Sequence, residues 1–226
     1  QKPIQIRSGR QNRKEKIGSM DLMKSAHLQY IPAFRITGMA LLIIGAFACT
    51  MLCYLLPEVE KNLFKQRREM VKRLTEPLWS SMQVRQEEVK QGKITLKEAR
   101  HRTTERFRSL RYGEDKKDYY WIIDTVPRVV MHPYRRDLEG KDVGDYRDPD
   151  GNLLFARMVE IALSSKGEGF LEYRWQWKDD PTQIKPKISY VRYFKPWGWI
   201  IGTGVYVDDI YNDIVALLSN REIFKV

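Results

Sequence analysis

The chain has 226 residues, of which 42% are hydrophobic, and this content supports a domain with a substantial core. Its formal net charge of +11 would suit nucleic acid or an anionic membrane. However, 40 basic residues are interspersed with 29 acidic ones, and we find no zinc-finger spacing or RNA-binding signature. Composition therefore favours a solvated basic surface that also suits an anionic membrane over a nucleic-acid partner.

The N-terminal part contains a basic tail followed by a predicted transmembrane helix. Residues 1–35 carry eight Lys or Arg and two acidic residues, and residues 36–56 are 21 consecutive uncharged residues without proline. A bilayer core needs roughly 20 helical residues, so the span fits. A cleaved signal peptide is the alternative, because Ala46 and Ala48 form a small-residue cleavage pattern, and Cys49 adds a lipoprotein interpretation. The apolar run continues to Leu56, which favours a retained anchor.

Orientation is not fixed by charge. The basic tail suggests a cytoplasmic N-terminus, but Lys61, Lys65, Arg67 and Arg68 follow the span closely.

Residues 57–112 are predicted to form a helical stem. Apolar residues recur at three-to-four spacing in the first helix, and Pro77 is expected to bend it. Gly92 ends this helix, and Thr95 with Glu98 forms a capping box that begins a second helix running to about Leu110. A surface helix pair that covers a sheet accounts for most of this pattern, and we also expect the stem helix to mediate a homodimer through its apolar stripe. That stripe comprises Leu63, Met70, Leu74, Leu78 and Met82.

Residues 113–207 are predicted to form an α+β domain. Five runs rich in aromatic and β-branched residues read as strands, and a helix around residues 153–162 separates the first two from the last three. A polar, proline-containing loop is predicted over residues 178–186, and an amphipathic helix over residues 208–226. This order indicates an antiparallel sheet. The predicted strands are 119–123, 128–132, 170–177, 187–194 and 199–207.

Several motifs in order resemble the single Cache domain (type 2) of bacterial receptors, over about residues 58–215. The resemblance implies a PAS-like five-stranded antiparallel sheet with a long N-terminal helix, placed outside the inner membrane and dimerising through that helix. It also implies small ligands, among which acetate, propionate and pyruvate are common, and an output through a histidine kinase, a chemoreceptor or a cyclic-dinucleotide enzyme. The motifs are YYWIID (119–124), MHPY (131–134), LEGKDV (138–143), DPDG (148–151), GEGF (167–170), KISYV (187–191) and WGWIIGTGVY (197–206).

A small anion in a dry pocket needs donors and an apolar wall. His132 is the leading candidate, because a bound carboxylate could hold it protonated. For each candidate the alternative is an ordinary core or surface role. Glycines near the last strand, Gly198, Gly202 and Gly204, indicate close approach of a ligand or of a helix. The full set of predicted ligand-binding residues is Trp121, Met131, His132, Tyr173, Tyr190 and Lys195.

Neither a metal site nor a catalytic site is predicted, and no cofactor is implied. Asp145, Asp148 and Asp150 fail the EF-hand register, because Tyr146 and Pro149 interrupt it. No nucleophile elbow, phosphate loop or zinc-binding His-Glu pair occurs.

The sequence therefore predicts a single-pass protein of the bacterial inner membrane, with a periplasmic or extracellular sensor domain that binds small carboxylates for signal transduction or chemotaxis. The alternative is a binding-only accessory membrane protein without its own output. The chain begins at Gln1, and after residue 207 it carries neither a second span nor a kinase or chemoreceptor module. We therefore expect either a fragment of a receptor or a sensor that acts through a separate protein.

Overall fold

The computed structural model describes residues 35–219, without the side chains of residues 213 and 216–219. The predicted basic tail, apart from Arg35, and residues 220–226 lie outside the described residues. The chain divides into two units, the first ending at Val59 and the second beginning at Glu60.

The first unit is helical. Helix α1 covers residues 35–50, and a π-helical turn, Met51–Leu55, follows it. Its apolar side chains are exposed, including Leu42 and Ile43. Among the described residues one helix, Arg35–Lys90, is long and apolar enough to cross a membrane by length and composition.

Two helices precede the sheet, and the first of them begins at Leu56, before the unit boundary at Glu60. Helix α2, Leu56–Lys90, runs through Pro77, and α3 covers Leu96–Ser109. One half of the predicted capping box is confirmed, because the Thr95 side chain accepts a hydrogen bond from the Glu98 amide at 3.1 Å, while the Glu98 carboxylate bonds Arg102.

The buried face of α2 differs in part from the predicted stripe. Leu78 and Met82 are buried as expected, but Val71 and Thr75 complete the buried face, while Met70 is only half-buried. The buried face therefore lies partly beside the stripe that hydrophobicity alone indicates.

The sheet has five antiparallel strands in the order β2-β1-β5-β4-β3. β5 lies at its centre and is buried along its whole length. The α+β prediction with a five-stranded antiparallel sheet is confirmed. The strands are β1 Tyr120–Asp124, β2 Val129–Met131, β3 Glu168–Trp177, β4 Asp180–Phe194 and β5 Trp199–Tyr206.

The predicted loop at residues 178–186 is wrong, because most of it belongs to β4. A tight turn at Lys178 and Asp179 joins β3 to β4, with Lys178 at a φ of 50°. Pairing with β5 begins only at Lys187, opposite Tyr206, so the first half of β4 pairs with β3 alone. Pro186 is tolerated there because one side of the strand needs no ladder hydrogen bond.

Strand alternation divides the core between the two faces of the sheet. On the first face, Trp121 and Val191 pack beneath helix α4, Leu154–Leu163. On the second face, Tyr120 and Ile122 pack against α2 and α3. A third cluster joins the sheet to α2 and to helix α5, Val207–Ser219, and comprises Val71, Ile188, Tyr190, Val205 and Ile210.

Gly202 makes room for an aromatic ring of the domain itself. A Cβ at Gly202 would lie 2.1 Å from Cζ2 of Trp121, which sits directly across on β1. The group that approaches this glycine is therefore a neighbouring strand's side chain, and neither of the two expected groups, a ligand or a helix. This packing places the indole of Trp121 on the first face.

Candidate ligand-binding site

The first face of the sheet contains a small cavity. Trp121 comes from β1, His132 follows β2, and Tyr173 and Trp175 come from β3. The cavity offers about 10 Å³ to the centre of a water-sized sphere, which is room for about one water. A guest of several heavy atoms therefore requires the walls to move. Helix α4 closes the cavity with Leu154, Phe155 and Met158.

The structure brings three of the six predicted site residues together. Trp121, His132 and Tyr173 line the cavity. The other three lie elsewhere. Met131 packs in the core beneath α2 and α3, and Tyr190 packs with Val71 in the cluster on α2. Lys195 is exposed at the start of the 3-10 turn Lys195–Trp197.

His132 is held as a neutral imidazole. Its Nδ1 accepts hydrogen bonds from the backbone amides of Tyr134, at 3.2 Å, and Arg135, at 3.0 Å. A ring that accepts at Nδ1 carries its proton at Nε2. Burial lowers the pKa of His132 well below its usual value, and the nearby charges of Lys187 and Arg135 lower that pKa further. His132 thus presents a neutral Nε2–H donor to the cavity, and its protonation by a bound carboxylate stays a prediction.

Replacing His132 by Phe should destabilise the domain by about 1–3 kcal/mol, because two backbone amides lose their acceptor in a buried place. The ring itself would keep its packing against Tyr119, whose centroid lies 4.9 Å away. Urea denaturation of the full chain in detergent measures the change. The matched control is His101→Phe, at an exposed position of α3, which should cost less than about 0.5 kcal/mol. Equal effects would contradict the role of Nδ1.

Lys187 is a buried basic residue that sequence reasoning missed, and it stands in register with Tyr173, which lines the cavity. Lys187 is 1% exposed. Its Nζ lies 4.0 Å from the ring centroid of Tyr119 and 4.6 Å from the ring centroid of Tyr206. Nζ also lies 3.4 Å from the Tyr206 hydroxyl, to which it donates. Within the described part of the chain, Lys187 makes no ion pair with a carboxylate. Burial lowers the pKa of Lys187 to about 7.

Tyr119 joins His132 to Lys187. Its ring contacts both side chains, and its hydroxyl is buried with no hydrogen-bond partner of normal geometry among the described residues. A buried hydroxyl without a hydrogen bond of normal geometry is unfavourable, and so is a buried ammonium without a directly paired carboxylate. The site thus combines unsatisfied donors around one aromatic ring with an apolar wall, an arrangement that can bind an anion.

The signal for Lys187 was present in the strand pattern. Residues of β4 alternate between faces, so Lys187 shares the face of Val191, whereas Ile188 and Tyr190 point to the opposite one. In register, Lys187 stands between Tyr173 of β3 and Tyr206 of β5. The sequence prediction placed Lys187 at the first position of a strand, where charged residues are usually solvated. The burial of Lys187 was missed for this reason.

A groove of about 620 Å³ shares Trp175 with the small cavity. Trp175 borders both spaces, and the guanidinium of Arg135 lies 5.8 Å from its ring centroid. Arg135 is fixed by two hydrogen bonds of 2.8 Å to the carboxylate of Asp137. The indole of Trp175 is therefore the partition between the groove and the cavity.

The family model described as Single Cache domain 2 matches residues 63–220. The chain belongs to the Single Cache domain 2 family, and it is a sensor domain of the kind found in chemotaxis receptors and sensor histidine kinases.

Two relatives illustrate this. The chain is 33% identical, over 172 residues, to the methyl-accepting chemotaxis protein McpP of Pseudomonas putida, covering 76% of this chain and 31% of the relative. It is 36% identical, over 108 residues, to the sensor histidine kinase MctS of Rhizobium johnstonii, covering 48% of this chain and 22% of the relative. The chain thus spans less than a third of the length of either protein.

Two solved structures share the fold. One is described as the periplasmic sensor domain of a chemotaxis protein, with a TM-score of 0.60 and 38% identity, covering 64% of this chain and 97% of that one. The other is a Cache chemosensory domain, and its description concerns the structural basis for carboxylic acid recognition. Its TM-score is 0.61 with 35% identity, covering 65% of this chain and 97% of that one.

Proposed function

We propose that this domain senses short carboxylates, which bind on the first face of the sheet with their charge at Lys187. The observation that carries the proposal is a buried ammonium without a carboxylate partner among the described residues. Recognition of carboxylic acids by the 35% identical Cache structure supports the same ligand class.

The chemistry of the site favours a carboxylate over a neutral guest. In a water-excluded site, a hydrogen bond between an ammonium and a carboxylate is roughly twice as strong as one between neutral groups. The Tyr119 ring contacts both Lys187 and His132, so the Tyr119 hydroxyl and Nε2–H of His132 are two further donors in the same cluster. The indole of Trp121 and the thioether of Met158 supply the wall for a short aliphatic tail.

The small volume of the cavity selects short chains and requires opening. The ligand-free walls leave room for about one water. A carboxylate would therefore bind a conformation in which α4 or Trp175 has moved, and it would shift the population towards that conformation. The neighbouring groove, bordered by Trp175, is the route of entry in this proposal.

We propose that the signal leaves the domain through α2. β4, which carries Lys187, packs its Tyr190 against Val71 of α2, and Lys72 bonds Glu168 of β3 at 2.7 Å. A ligand that changes the position of β4 therefore biases the packing of α2, with a useful coupling of about 1–3 kcal/mol.

In this proposal residues 36–56 anchor the chain in the bacterial inner membrane and the sensor domain lies outside the cytoplasm, as in the periplasmic sensor domain to which it is similar. Pairing through α2 with a second copy, and output through a kinase or chemoreceptor module, complete the proposal.

Isothermal titration of the full chain in detergent with acetate, propionate and pyruvate tests the ligand class. We expect saturable heat for at least one acid. Acetamide and propionamide are matched neutral controls, and they should bind at least about a hundredfold more weakly because they cannot pair with an ammonium. Flat heats for all three acids would remove this ligand class.

A further inference from the structure

We propose that the domain carries a second ligand site, in a separate cavity bordered by α2 and α5, which binds a small organic ammonium ion. This cavity measures about 530 Å³, within the range of small-molecule sites. It lies between α2, residues 112–118, the β3–β4 turn and α5, and it shares no lining residue with the cavity beside His132.

Asp118 is the first argument for the site. It is 6% exposed and lines the cavity, yet its carboxylate makes no hydrogen bond with any described residue, and Oδ1 is fully buried. Its backbone is fixed by a reciprocal pair of hydrogen bonds with Tyr112, at 3.1 and 3.2 Å. A buried carboxylate without a donor opposes folding, so Asp118 does not stabilise the domain through its own bonds. A cation in the cavity would supply the missing donor.

Lys178 is the second argument, because it shows how an ammonium is held here. Its Nζ pairs with Asp115 at 2.7 Å and with Asp209 of α5 at 3.2 Å. The same Nζ lies 5.1 Å from the ring centroid of Trp177. Carboxylates combined with an aromatic face are the groups that recognise organic ammonium ions. Asp118 is a third carboxylate in the same cavity, with no ion pair of its own among the described residues.

The remaining lining suits an alkyl chain. Met70, Val205 and Ile210 are apolar, and Tyr112 adds a further aromatic side chain. Four acidic and three basic residues line the cavity, so the balance of charge favours a cation. The guest would touch both α2 and α5, the two helices that the sheet packs against at this end.

A purely electrostatic role for Asp118 is the competing interpretation. The charges of Lys178 and Lys187 act on Asp118, so its carboxylate could serve only as a distant counter-charge for Lys187. In that case removing the charge of Asp118 would weaken carboxylate binding at Lys187 and would leave no amine binding to lose. The two interpretations therefore differ in their response to amines.

Titration of the full chain in detergent with n-butylamine and with 1,4-diaminobutane tests the site. We expect saturable heat for at least one of them. Choline, which has no N–H to donate to Asp118, and n-butanol, which has no charge, should bind at least about tenfold more weakly.

The variant Asp118→Asn removes the charge at nearly constant volume and should weaken amine binding at least about tenfold. Asp145→Asn is the matched control, because it makes the same change at an exposed position outside the cavity, and it should leave amine affinity within about twofold. Saturable amine binding in a chain that gives no heat with any of the three acids would leave this site standing, so it can fail or succeed independently of the carboxylate site.

A second variant guards against misfolding of the first. Asn212 is exposed on α5 and lines the cavity, so Asn212→Trp fills the space without disturbing the core, and it should also weaken amine binding at least about tenfold. Absence of saturable heat from both amines, or unchanged affinity in Asp118→Asn or in Asn212→Trp, would overturn the proposal.

Discussion

Replacing Lys187 by Met should reduce carboxylate affinity at least about a hundredfold while leaving the domain folded. The ligand's charge would lose its ammonium partner in a site from which water is excluded, and such a loss is worth several kcal/mol. The fold should tolerate the change because Lys187 is buried without an ion pair among the described residues. Replacing a buried charge with an apolar side chain of similar size is often neutral or stabilising. Titration calorimetry and the midpoint of thermal unfolding, both on the full chain, measure the two effects.

Lys185→Met is the matched control for this experiment. Lys185 lies two residues earlier on the same strand, with its side chain 34% exposed and paired with Asp208 at 2.7 Å. The same substitution there should change carboxylate affinity by less than about threefold, since a partly exposed ion pair contributes little. If Lys187→Met bound carboxylates as tightly as the unaltered chain, the ligand would have to lie elsewhere.

Carboxylate affinity should fall as the pH rises above about 7, by up to about tenfold per pH unit. The pKa of Lys187 is about 7 in the ligand-free domain, because burial opposes its charge. Three other charged groups act on it: Asp118 and Asp209 favour its protonation, and Lys178 opposes it. A bound carboxylate would raise the pKa of Lys187, so above pH 7 binding takes up a proton. His132 contributes nothing over this range, because it is already neutral.

Titrations in buffers with different enthalpies of ionisation measure this proton uptake directly. Uptake should approach one proton per ligand near pH 8 and disappear in Lys187→Met. Affinity that stayed constant between pH 6.5 and pH 8.5 would contradict the assignment of Lys187 as the anion's partner.

The stability of the ligand-free domain should follow the opposite direction. The depressed pKa of Lys187 means that the unfolded chain keeps the proton longer than the folded domain does. The contribution of Lys187 to the free energy of unfolding therefore rises with pH from about 7 towards the usual lysine pKa.

The secondary structure was largely predictable because its signals are local. The helix N-cap at Thr95 and the aromatic strands were predicted from short stretches of sequence and are confirmed. The exception, the extension of β4 to Asp180, depends on a non-local fact, namely that β5 ends before it can pair with that half. Proline is unfavourable in a strand that is paired on both sides, but it is compatible with the first half of β4, which is paired on one side only.

The candidate site was predictable only in part, because a residue's face depends on the strands beside it. Trp121, His132 and Tyr173 were predicted and do meet at the cavity. Tyr190 was chosen for its hydroxyl, yet period-two alternation places it opposite Lys187. The burial of Lys187 follows from its position between Tyr173 and Tyr206, which only the register of three strands reveals.

The partition formed by Trp175 has a kinetic consequence for the proposed sensor. In the proposed route of entry, a guest can bind only after the indole of Trp175 has moved, so its association is well below the diffusion limit. The observed association rate then levels off as the concentration of the guest rises. The same obstacle delays departure. Occupancy of the site then averages over brief changes in the concentration of the guest. The proposed sensor would therefore respond to a sustained supply of the guest and not to a brief pulse.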